Sequence, residues 1–434
     1  MLSLANLLRG NSYIIEFYFD QRIHNLESSI IEAKLHGFDT HFEPIKTKIK
    51  GSAITKDFGQ VLLYRPFVFI RRVFNELKIC RRIEFGFKEV LIKRSINLVI
   101  TPLNSVGYNI PVYLNVCKNL NIKTVCFPFA FGDKDALIKS LVFSNKSNAK
   151  YLLNSVFIPF FKKWTLNLNN EKYLILPAEQ LVTYFFKNIN VKYPFSFYGV
   201  YIDYIFLENE YMLRHATEQK LASNCVKLTG SIFDDSIFNI QFNKNKNYND
   251  ICLKYGWDSN LKLLVIGLPP FVKSGELDLR FLSVDELLLK FIPFEIKNWN
   301  VIISPHPRIN KNELSALVLK DNMRLIDESV ENFLPLANLF ISTFSSTIRT
   351  AIGLGKAVIN YDLLNFNYLI FNEIKGVVKV NNSREYEFLL KKIDQDGDSF
   401  LTERIDESDT YLYGSNFDGK SNQRILNEIK QISC

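Results

Sequence analysis

Two loops in the last third of the chain carry the residue types that bind phosphate. The first lies in VIISPHPRIN (301–310), where an apolar run is followed by His306, Pro307 and Arg308. The second lies in ISTFSSTIRTAIGLGKAVINYD (341–362), where another apolar run is followed by the hydroxyl side chains of Thr343, Ser345, Ser346 and Thr347. Imidazole, guanidinium and hydroxyl groups all donate hydrogen bonds to phosphate oxygens. The pattern therefore indicates two loops that contact one phosphate.

The segments around these loops have the pattern of a parallel α/β sheet. Each apolar run predicts a buried strand, and Ser345 or Ser346 is expected to cap a helix that stops at Gly353 or Gly355. Ligands of open parallel sheets bind beyond the carboxyl ends of the strands, where the first amides of such a helix are unpaired. We therefore expect both loops at that edge of one sheet.

The rest of the chain predicts two α/β domains. In the first half, the strand-like runs SYIIEFYF, INLVIT and KTVCFPF alternate with helical patterns, and an aromatic stretch over 134–197 predicts buried helices or an acceptor cleft. In the second half, five short apolar runs predict strands: LKLLVIG, WNVIIS, NMRLID, ANLFIST and KAVINYD. We place the boundary before the Thr229-Gly230-Ser231 turn, which gives domains 1–226 and 227–434, and expect the last helix to pack back on the first domain.

Composition indicates a folded globular chain. The 434 residues are 47% hydrophobic and 14% aromatic, which excludes a disordered protein. The six cysteines lack metal-ligand spacing, so we expect neither a zinc site nor a disulfide framework, and a reduced cytoplasmic location. The first residues lack the features of a secretory signal, and no run is long enough for a membrane span.

The net charge of +8 is concentrated in RPFVFIRRVFNELKICRRIEFGFKEVLIKRS (65–95). Basic and apolar residues alternate there at helical spacing, which suits a helix lying on an anionic membrane surface. An ordinary helix with a solvated basic face and its apolar side in the core fits the same pattern. We expect no nucleic-acid partner, because no binding motif accompanies the basic residues.

Four segments resemble a known family. VKLTGSIFDD (226–235), the HPR at 306–308, the TFSST loop at 343–347 and YGSNFDGKSNQRI (413–425) are similar to the nucleotide-binding half of GT-B glycosyltransferases. More narrowly, they resemble polysialyltransferase-like and capsular Kdo transferase-like enzymes with HP and SS motifs, and the related CDP-glycerol polyol-phosphate transferases. The resemblance covers residues 200 to 430. It implies an α/β fold of GT-B type, with two Rossmann-like doubly wound domains facing across a cleft.

The resemblance also implies roles for individual residues. In the family, the HP histidine and the SS hydroxyls hold the phosphate of a cytidine nucleotide donor, which points to His306, Ser345 and Ser346. The family's base is an acid beside a glycine in the first domain, where this chain has FAFGDKDA with Asp133 and Asp135. The remaining residues assigned to the donor site are Gly267, Lys273, Pro307, Arg308, Thr343 and Thr347.

The chemistry expected of these residues needs neither a metal nor a cofactor. A carboxylate, Asp133 or Asp135, removes the proton of the acceptor hydroxyl. His306 and the hydroxyl loop stabilise the leaving phosphate together with Arg308 or Lys273. The adjacent acids of FDDSIF (233–238) are expected to cap a helix rather than to bind a metal. Glu208 in FLENE is a third candidate for the base.

We therefore expect a metal-independent, inverting glycosyltransferase of capsule or lipopolysaccharide biosynthesis. Its donor would be a CMP-sugar of the sialic acid or Kdo type, and its acceptor a surface glycan or lipid-linked glycan. The protein would be cytoplasmic, with peripheral contact to the inner face of the cell membrane. The alternatives are a CDP-polyol phosphotransferase, a UDP-sugar 2-epimerase-like enzyme, and a non-catalytic glycan-binding protein on the same scaffold.

Overall fold

The structure is a computed structural model of the chain. It describes residues 1–19, 26–42, 61–102, 105–107, 109–128, 147–168, 170–196, 199–218, 221, 225–269, 289–292, 296–306, 309, 314, 319–343, 345–363, 370–396, 405–414 and 417–433. The chain divides into two compact units. Unit 1 comprises Met1–Phe206, Glu218–Lys227 and Glu428–Cys434, and unit 2 comprises Leu207–Thr217 and Leu228–Asn427.

Unit 1 is built from short strands and helices of very different length. Its elements are α1 (Leu2–Arg9), β1 (Glu16–Phe19), α2 (Leu26–Leu35), β2 (Asp39–Phe42), α3 (Val61–Lys93), β3 (Leu98–Thr101), α4 (Ile110–Asn119), β4 (Lys123–Cys126), α5 (Asn154–Phe157), β5 (Thr165–Leu168), β6 (Glu171–Leu174), α6 (Ala178–Phe186) and β7 (Tyr204–Leu207). Helix α7 (Glu210–Glu218) and strand β8 (Val226–Leu228) follow, at the border with unit 2.

Parallel pairing dominates the sheets of this part of the chain. Strands β3, β4, β7 and β8 form one sheet in that order, with β3–β4 and β4–β7 parallel, and β1 pairs with β2 in parallel. The side chain of Asp203 fixes the entry to β7, because its Oδ2 accepts from the amide and the hydroxyl of Thr124 at 2.9 and 2.8 Å. The first half is therefore an α/β layer, as the alternation of apolar runs predicts.

The aromatic stretch differs from the prediction of buried helices. Strands β5 and β6 form an antiparallel hairpin there, and only α5 and α6 are α-helical in its described part. Tyr184 is buried, but Phe185 and Phe186 are 75% and 67% exposed. The prediction was wrong because a run of aromatic residues without a clear period does not distinguish a strand or an outward helix face from a buried helix.

Unit 2 contains a doubly wound sheet. Its further elements are α8 (Asp234–Phe242), α9 (Lys244–Tyr255), β9 (Lys262–Gly267), β10 (Trp299–Ser304), β11 (Met323–Leu325), β12 (Leu339–Ser342), α10 (Thr347–Gly353), β13 (Ala357–Tyr361), β14 (Val377–Val380), α11 (Ser383–Asp396), α12 (Glu407–Tyr413) and the first part of α13 (Ser421–Ser433), whose residues from Glu428 onward belong to unit 1. Six parallel strands lie in the order β11-β10-β9-β12-β13-β14. Five of them were predicted from the sequence, and β14 was missed.

The strands of this sheet are apolar on both faces. In β9, four successive residues from Leu263 to Ile266 are 0% exposed, and β10 is buried along its whole length. Helices cover both faces of a parallel sheet, so its central strands contain continuous apolar runs rather than alternating ones. Burial on both faces fixes the strands in the sheet, and it therefore fixes the positions of the loops that follow the strand ends.

Helix α3 is the longest helix of the described chain, with 33 residues. One face packs in unit 1 through Phe69, Cys80, Ile83, Phe87 and Leu91, each at most 6% exposed. The basic segment is thus one continuous helix. No helix in the described residues combines the length and the apolarity needed to cross a membrane.

Candidate functional site

The strand order of unit 2 identifies where a ligand would bind. From β9 the chain adds β10 and β11 on one side, and then β12, β13 and β14 on the other side. The direction of winding therefore reverses between the neighbouring strands β9 and β12. In doubly wound sheets, ligands bind at such a reversal, outside the carboxyl ends of the strands.

Three strands end at the same level there. Gly267, the last residue of β9, pairs in register with Ser304 of β10 and Ser342 of β12. The Ser342 hydroxyl donates to the Gly267 carbonyl at 3.2 Å, and the amide of Leu268 donates to the Ser304 carbonyl at 2.9 Å. A Cβ on Gly267 would lie 3.2 Å from Ser342 Oγ, so this position suits glycine. Gly267, assigned to the donor site from sequence, lies at the centre of this edge.

His306 lies two residues beyond the end of β10. It is half-buried, and its carbonyl accepts a hydrogen bond from the amide of Ile309 at 2.8 Å, which turns the chain directly after the strand. Pro307 and Arg308 lie outside the described residues. Strands β10 and β12 flank β9, so their axes are about 10 Å apart at this edge. The two predicted loops therefore follow strands on either side of the same central strand.

The hydroxyl loop follows β12. Thr343 is buried, and its hydroxyl donates to the carbonyl of Tyr361 at 2.6 Å, which ties the loop to β13. Ser345 and Ser346 are half-buried, and the hydroxyls of Ser345 and Thr347 share a hydrogen bond of 2.7 Å. The loop is therefore held by its own side chains before helix α10 begins at Thr347.

The helix that follows differs from the expectation at its start. The amide of Thr347 donates to Ser345 Oγ at 3.3 Å, and the amides of Ile348 and Arg349 donate to the carbonyls of Ser345 and Ser346, each at 3.1 Å. The expectation that these amides are unpaired was wrong, because a short turn already satisfies them. The predicted serine cap is not confirmed: Ser346 takes the N-cap position without a side-chain capping bond, and the Ser345 hydroxyl accepts from the Thr347 amide within the preceding turn. The stop at Gly355, whose φ is +63°, is confirmed. The first amides of α10 are therefore already hydrogen-bonded within the protein, and the described hydroxyls of the loop are the groups that we consider for ligand contact.

A buried ion pair holds α10 in place. Arg349 is 6% exposed, and its Nη2 lies 2.7 Å from Oε2 of Glu208, the residue that follows β7. Glu208 was a candidate for the base, and its carboxylate is bound to Arg349. The sequence reasoning did not identify Arg349. A charged residue within the apolar TIRTAIG was the available signal, because such a charge is normally paired when buried.

Helices α7 and α12 are linked by a hydrogen bond, and the end of α12 lies against the end of α10. The side chain of Asn209 caps α7 through a 2.9 Å bond from the Met212 amide, and it donates to the carbonyl of Tyr413 in α12 at 2.8 Å. At the far end of α10, a Cβ on Gly353 would lie only 2.5 Å from the Cα of Gly414. The backbones of these segments therefore approach closely, and both positions require glycine.

The adjacent acids of FDDSIF make capping bonds. Asp234 Oδ2 accepts from the amide of Ser231 at 2.6 Å, and Asp235 accepts from the amides of Ser421 and Asn422 at 2.8 and 3.1 Å. These bonds fix the start of α13 against the turn before α8. In the part of the chain that the structure describes, no group of three or more His, Cys, Asp or Glu side chains is placed to hold a metal ion.

Replacing Gly230 with alanine is expected to destabilise the protein by about 2–3 kcal/mol. Gly230 has a φ of +83°, and a Cβ would lie 2.3 Å from Ser421 Oγ and 2.8 Å from Asp234 Oδ2. Gly256 is the matched control, because its φ is +68° and a Cβ would meet nothing within 4 Å. Urea unfolding should show a loss of about 1 kcal/mol for Gly256→Ala. Equal losses in the two variants would show that crowding at Gly230 is unimportant.

A second buried cation lies in unit 2. Lys356 is 8% exposed, and its Nζ donates to the carbonyl of Pro335 at 2.9 Å. Burial, with a smaller contribution from the nearby charge of Lys244, lowers the pKa of Lys356 from 10.5 to about 7. The unfolded chain therefore binds a proton at Lys356 across a pH range where the folded chain does not. This difference costs stability at neutral pH.

Replacing Lys356 with methionine should raise stability at pH 7 by about 2 kcal/mol, after allowance for the lost hydrogen bond. The wild-type protein should lose stability as the pH falls from 10.5 to about 7, and the variant should lack this component. Urea unfolding at several pH values measures both curves. Lys391→Met, at an exposed position, is the control. Parallel curves for the wild type and Lys356→Met would contradict the prediction.

Several predicted residues lie outside the described residues. They are Asp133, Asp135, Lys273, Pro307 and Arg308. Their roles therefore stay predictions from the sequence. The described members of the donor site are Gly267, His306, Thr343, Ser345, Ser346 and Thr347, and all of them lie at the carboxyl ends of the three central strands.

Comparison with known proteins gives the fold. No family model and no curated protein matches the chain in sequence. CalG4, the calicheamicin glycosyltransferase, is similar in structure, with a TM-score of 0.53, 11% identity, and coverage of 99% of this chain and 94% of that chain. The UDP-GlcNAc 2-epimerase from Neisseria meningitidis bound to UDP-GlcNAc gives a TM-score of 0.48, 13% identity, and coverage of 99% and 95%. The wall teichoic acid polymerase TagF gives a TM-score of 0.44 and 14% identity, with coverage of 84% of this chain and 98% of that chain.

The likeness to CalG4 and the two units with parallel sheets confirm the predicted fold class. The chain is an α/β protein with the GT-B fold. At 11% identity the likeness shows the fold alone.

Proposed function

We propose that this chain is a cytoplasmic glycosyltransferase that binds its nucleotide-activated donor at the carboxyl edge of the unit 2 sheet. The donor is a CMP-sugar of the sialic acid or Kdo type, and the acceptor is a glycan or lipid-linked glycan of the bacterial surface. The observation that carries the proposal is that Gly267, Ser304 and Ser342 lie in register at the ends of β9, β10 and β12. This is the switch point, where the direction of winding reverses. The two loops with phosphate-binding side chains start from the strands that flank it.

The proposed reaction joins an acceptor hydroxyl to the anomeric carbon of the sugar. The new bond between the acceptor oxygen and this carbon forms as the bond to the nucleotide phosphate breaks, and the hydroxyl proton passes to a carboxylate. Asp133 and Asp135 are the candidates for that base. The electron pair of the broken bond stays on the phosphate, where donors placed in advance stabilise the growing negative charge. Attack from the side opposite the leaving group inverts the anomeric centre.

His306 and Ser346 are the proposed contacts to the phosphate among the described residues. Both are half-buried and both follow strand ends at the switch point. Ser345 has a different part, because its oxygen already accepts from the Thr347 amide and shares a hydrogen bond with the Thr347 hydroxyl. Lys273 and Arg308 are proposed to add positive charge in place of a metal. Activity should therefore persist in EDTA.

A thermal-shift screen against CMP, CDP, UDP and GDP tests the proposed donor. A ligand that binds only the folded state raises the melting temperature by mass action, so CMP should give the largest shift. Preference for CDP, with turnover of CDP-glycerol, would favour the polyol phosphotransferase. Preference for UDP would favour a hexose transferase or an epimerase, and no shift with any nucleotide would contradict a nucleotide-dependent enzyme.

Two neighbouring serines give a matched pair of variants. Ser346→Ala should reduce the CMP-induced shift with little change in the melting temperature of the unliganded protein. Ser345→Ala should lower that melting temperature and cost about 1 kcal/mol of stability, because it removes the hydrogen bonds of Ser345 to the amide and hydroxyl of Thr347. If Ser346→Ala leaves the CMP shift unchanged, the hydroxyl loop does not contact the nucleotide. A protein that binds glycan but shows no turnover with any donor would be a non-catalytic glycan-binding protein.

A further inference from the structure

Helix α3 has a second apolar face, turned away from the core. Five large apolar side chains, each at least 51% exposed, follow one another at spacings that return to the same side of the helix, and we call them the outer stripe: Phe67, Ile70, Phe74, Phe85 and Ile92. The stripe extends over about 38 Å of the helix. The core residues of α3 lie on a different side, so the helix is apolar in two directions. An ordinary surface helix has only one such face.

A groove continues the outer stripe onto the neighbouring helix. It encloses about 610 Å³ between α3 and α6. Its walls are mainly apolar, with Ile70, Phe74, Leu77, Val182 and Phe186 among them, and two basic side chains, Arg81 and Lys187, also line it. Phe185 and Phe186 add further exposed aromatic surface at the end of α6. Contiguous exposed apolar surface of this extent on a folded protein marks an interaction site.

The charges around the outer stripe indicate which kind of partner binds there. Helix α3 carries eight basic and three acidic residues, and Arg81 and Lys88 lie on the stripe itself, each about one helical turn from Phe85. Exposed phenylalanines flanked by arginine and lysine are the combination that binds the boundary between lipid headgroups and acyl chains of an anionic bilayer. A second copy of the chain would bring the same positive charge to the same surface, which opposes a dimer at this face.

We propose that the outer stripe and the adjoining groove dock this protein on the surface of an anionic phospholipid bilayer. The phenylalanines enter the acyl boundary and the basic side chains contact the headgroups. The proposal is independent of the proposed function, because every residue that carries it lies in unit 1, outside the donor site.

Co-sedimentation with vesicles tests the proposal on the full chain. The wild type should bind vesicles of phosphatidylcholine with phosphatidylglycerol more tightly than vesicles of phosphatidylcholine alone, and salt should weaken this binding. Phe74→Ser combined with Phe186→Ser should reduce binding at least about tenfold, because each ring loses apolar burial. Arg81→Glu with Lys88→Glu should remove the preference for phosphatidylglycerol. Phe388→Ser, at a 68% exposed position on α11, is the control and should bind like the wild type.

Thermal melting and light scattering accompany each variant. The substituted side chains are exposed, so melting temperatures should stay close to that of the wild type. Phe67→Ser with Phe85→Ser, away from the groove, is a second test if the first pair is unstable. The proposal is overturned if the wild type does not prefer the anionic vesicles or if the stripe variants bind them equally well. The proposal is also overturned if light scattering gives the mass of two chains for the wild type and of one chain for the stripe variants, because a second copy would then cover the stripe.

Discussion

Replacing His306 with alanine is expected to lower turnover of a nucleotide-activated sugar by about 100- to 1000-fold. The proposed imidazole donor acts on the leaving phosphate as its charge grows, so its loss should reduce kcat and kcat/KM together. The half-buried side chain lies at the surface of a sheet edge rather than in the core, so the fold should remain intact. Initial rates over a range of donor concentrations, with circular dichroism as a check on folding, measure the effect.

Two further variants separate a specific role for His306 from a general loss. His306→Gln keeps a hydrogen-bond donor and should recover part of the lost rate. His36→Ala removes an exposed imidazole in unit 1 and should leave the rate unchanged. A His306→Ala enzyme that works within about twofold of the wild type would remove His306 from the proposed mechanism, because a single lost transition-state contact costs far more.

Arg349→Met should destabilise the protein by about 3–5 kcal/mol, because it leaves the carboxylate of Glu208 buried without its cation. The side chains of Arg349 and Glu208 are 8% and 17% exposed, and the 2.7 Å contact joins the start of α10 to the segment after β7. Urea unfolding gives the free energy. Glu208→Gln should cost a comparable amount, and the double variant should cost less than the sum of the two single losses.

An exposed ion pair of unit 2 is the control for this prediction. Lys254 and Glu328 lie 3.7 Å apart with side chains 60% and 50% exposed, so Lys254→Met should cost less than about 1 kcal/mol. The Glu208→Gln variant also decides a question of mechanism. A large loss of kcat with unchanged stability would make Glu208 the base rather than the partner of Arg349, and additive losses in the double variant would show that the pair does not interact.

The strand ends on the donor side of the candidate site could be predicted from the sequence because their signals are local. An apolar run that stops at a polar loop shows where a strand ends, so the placement of His306 and Ser345 beyond strand ends followed from the residues alone. The stop at Gly355 also depends on neighbours within one helical turn. The GT-B fold followed from the alternation of strands and helices and from the resemblance of the motifs.

Other features could not be predicted, because they depend on contacts between residues that are far apart in sequence. Strand β14 is a four-residue edge strand, identified by its pairing with β13 and not from the sequence. The exposure of Phe74 and Phe186 could not be predicted from neighbouring residues either. The same aromatic residue occurs on helix faces that pack in the core and on faces that are exposed to solvent.

The sequence by itself determined five of the six strands of the unit 2 sheet, the positive charge of α3 and the chemical types of the loop residues. Only the tertiary structure decided which loops share an edge, that Glu208 meets Arg349, and that α3 is apolar on two sides. The physical reason is the separation along the chain over which each interaction acts. Backbone preference and hydrophobic periodicity act over a few residues, whereas burial and charge pairing depend on which distant segments pack together.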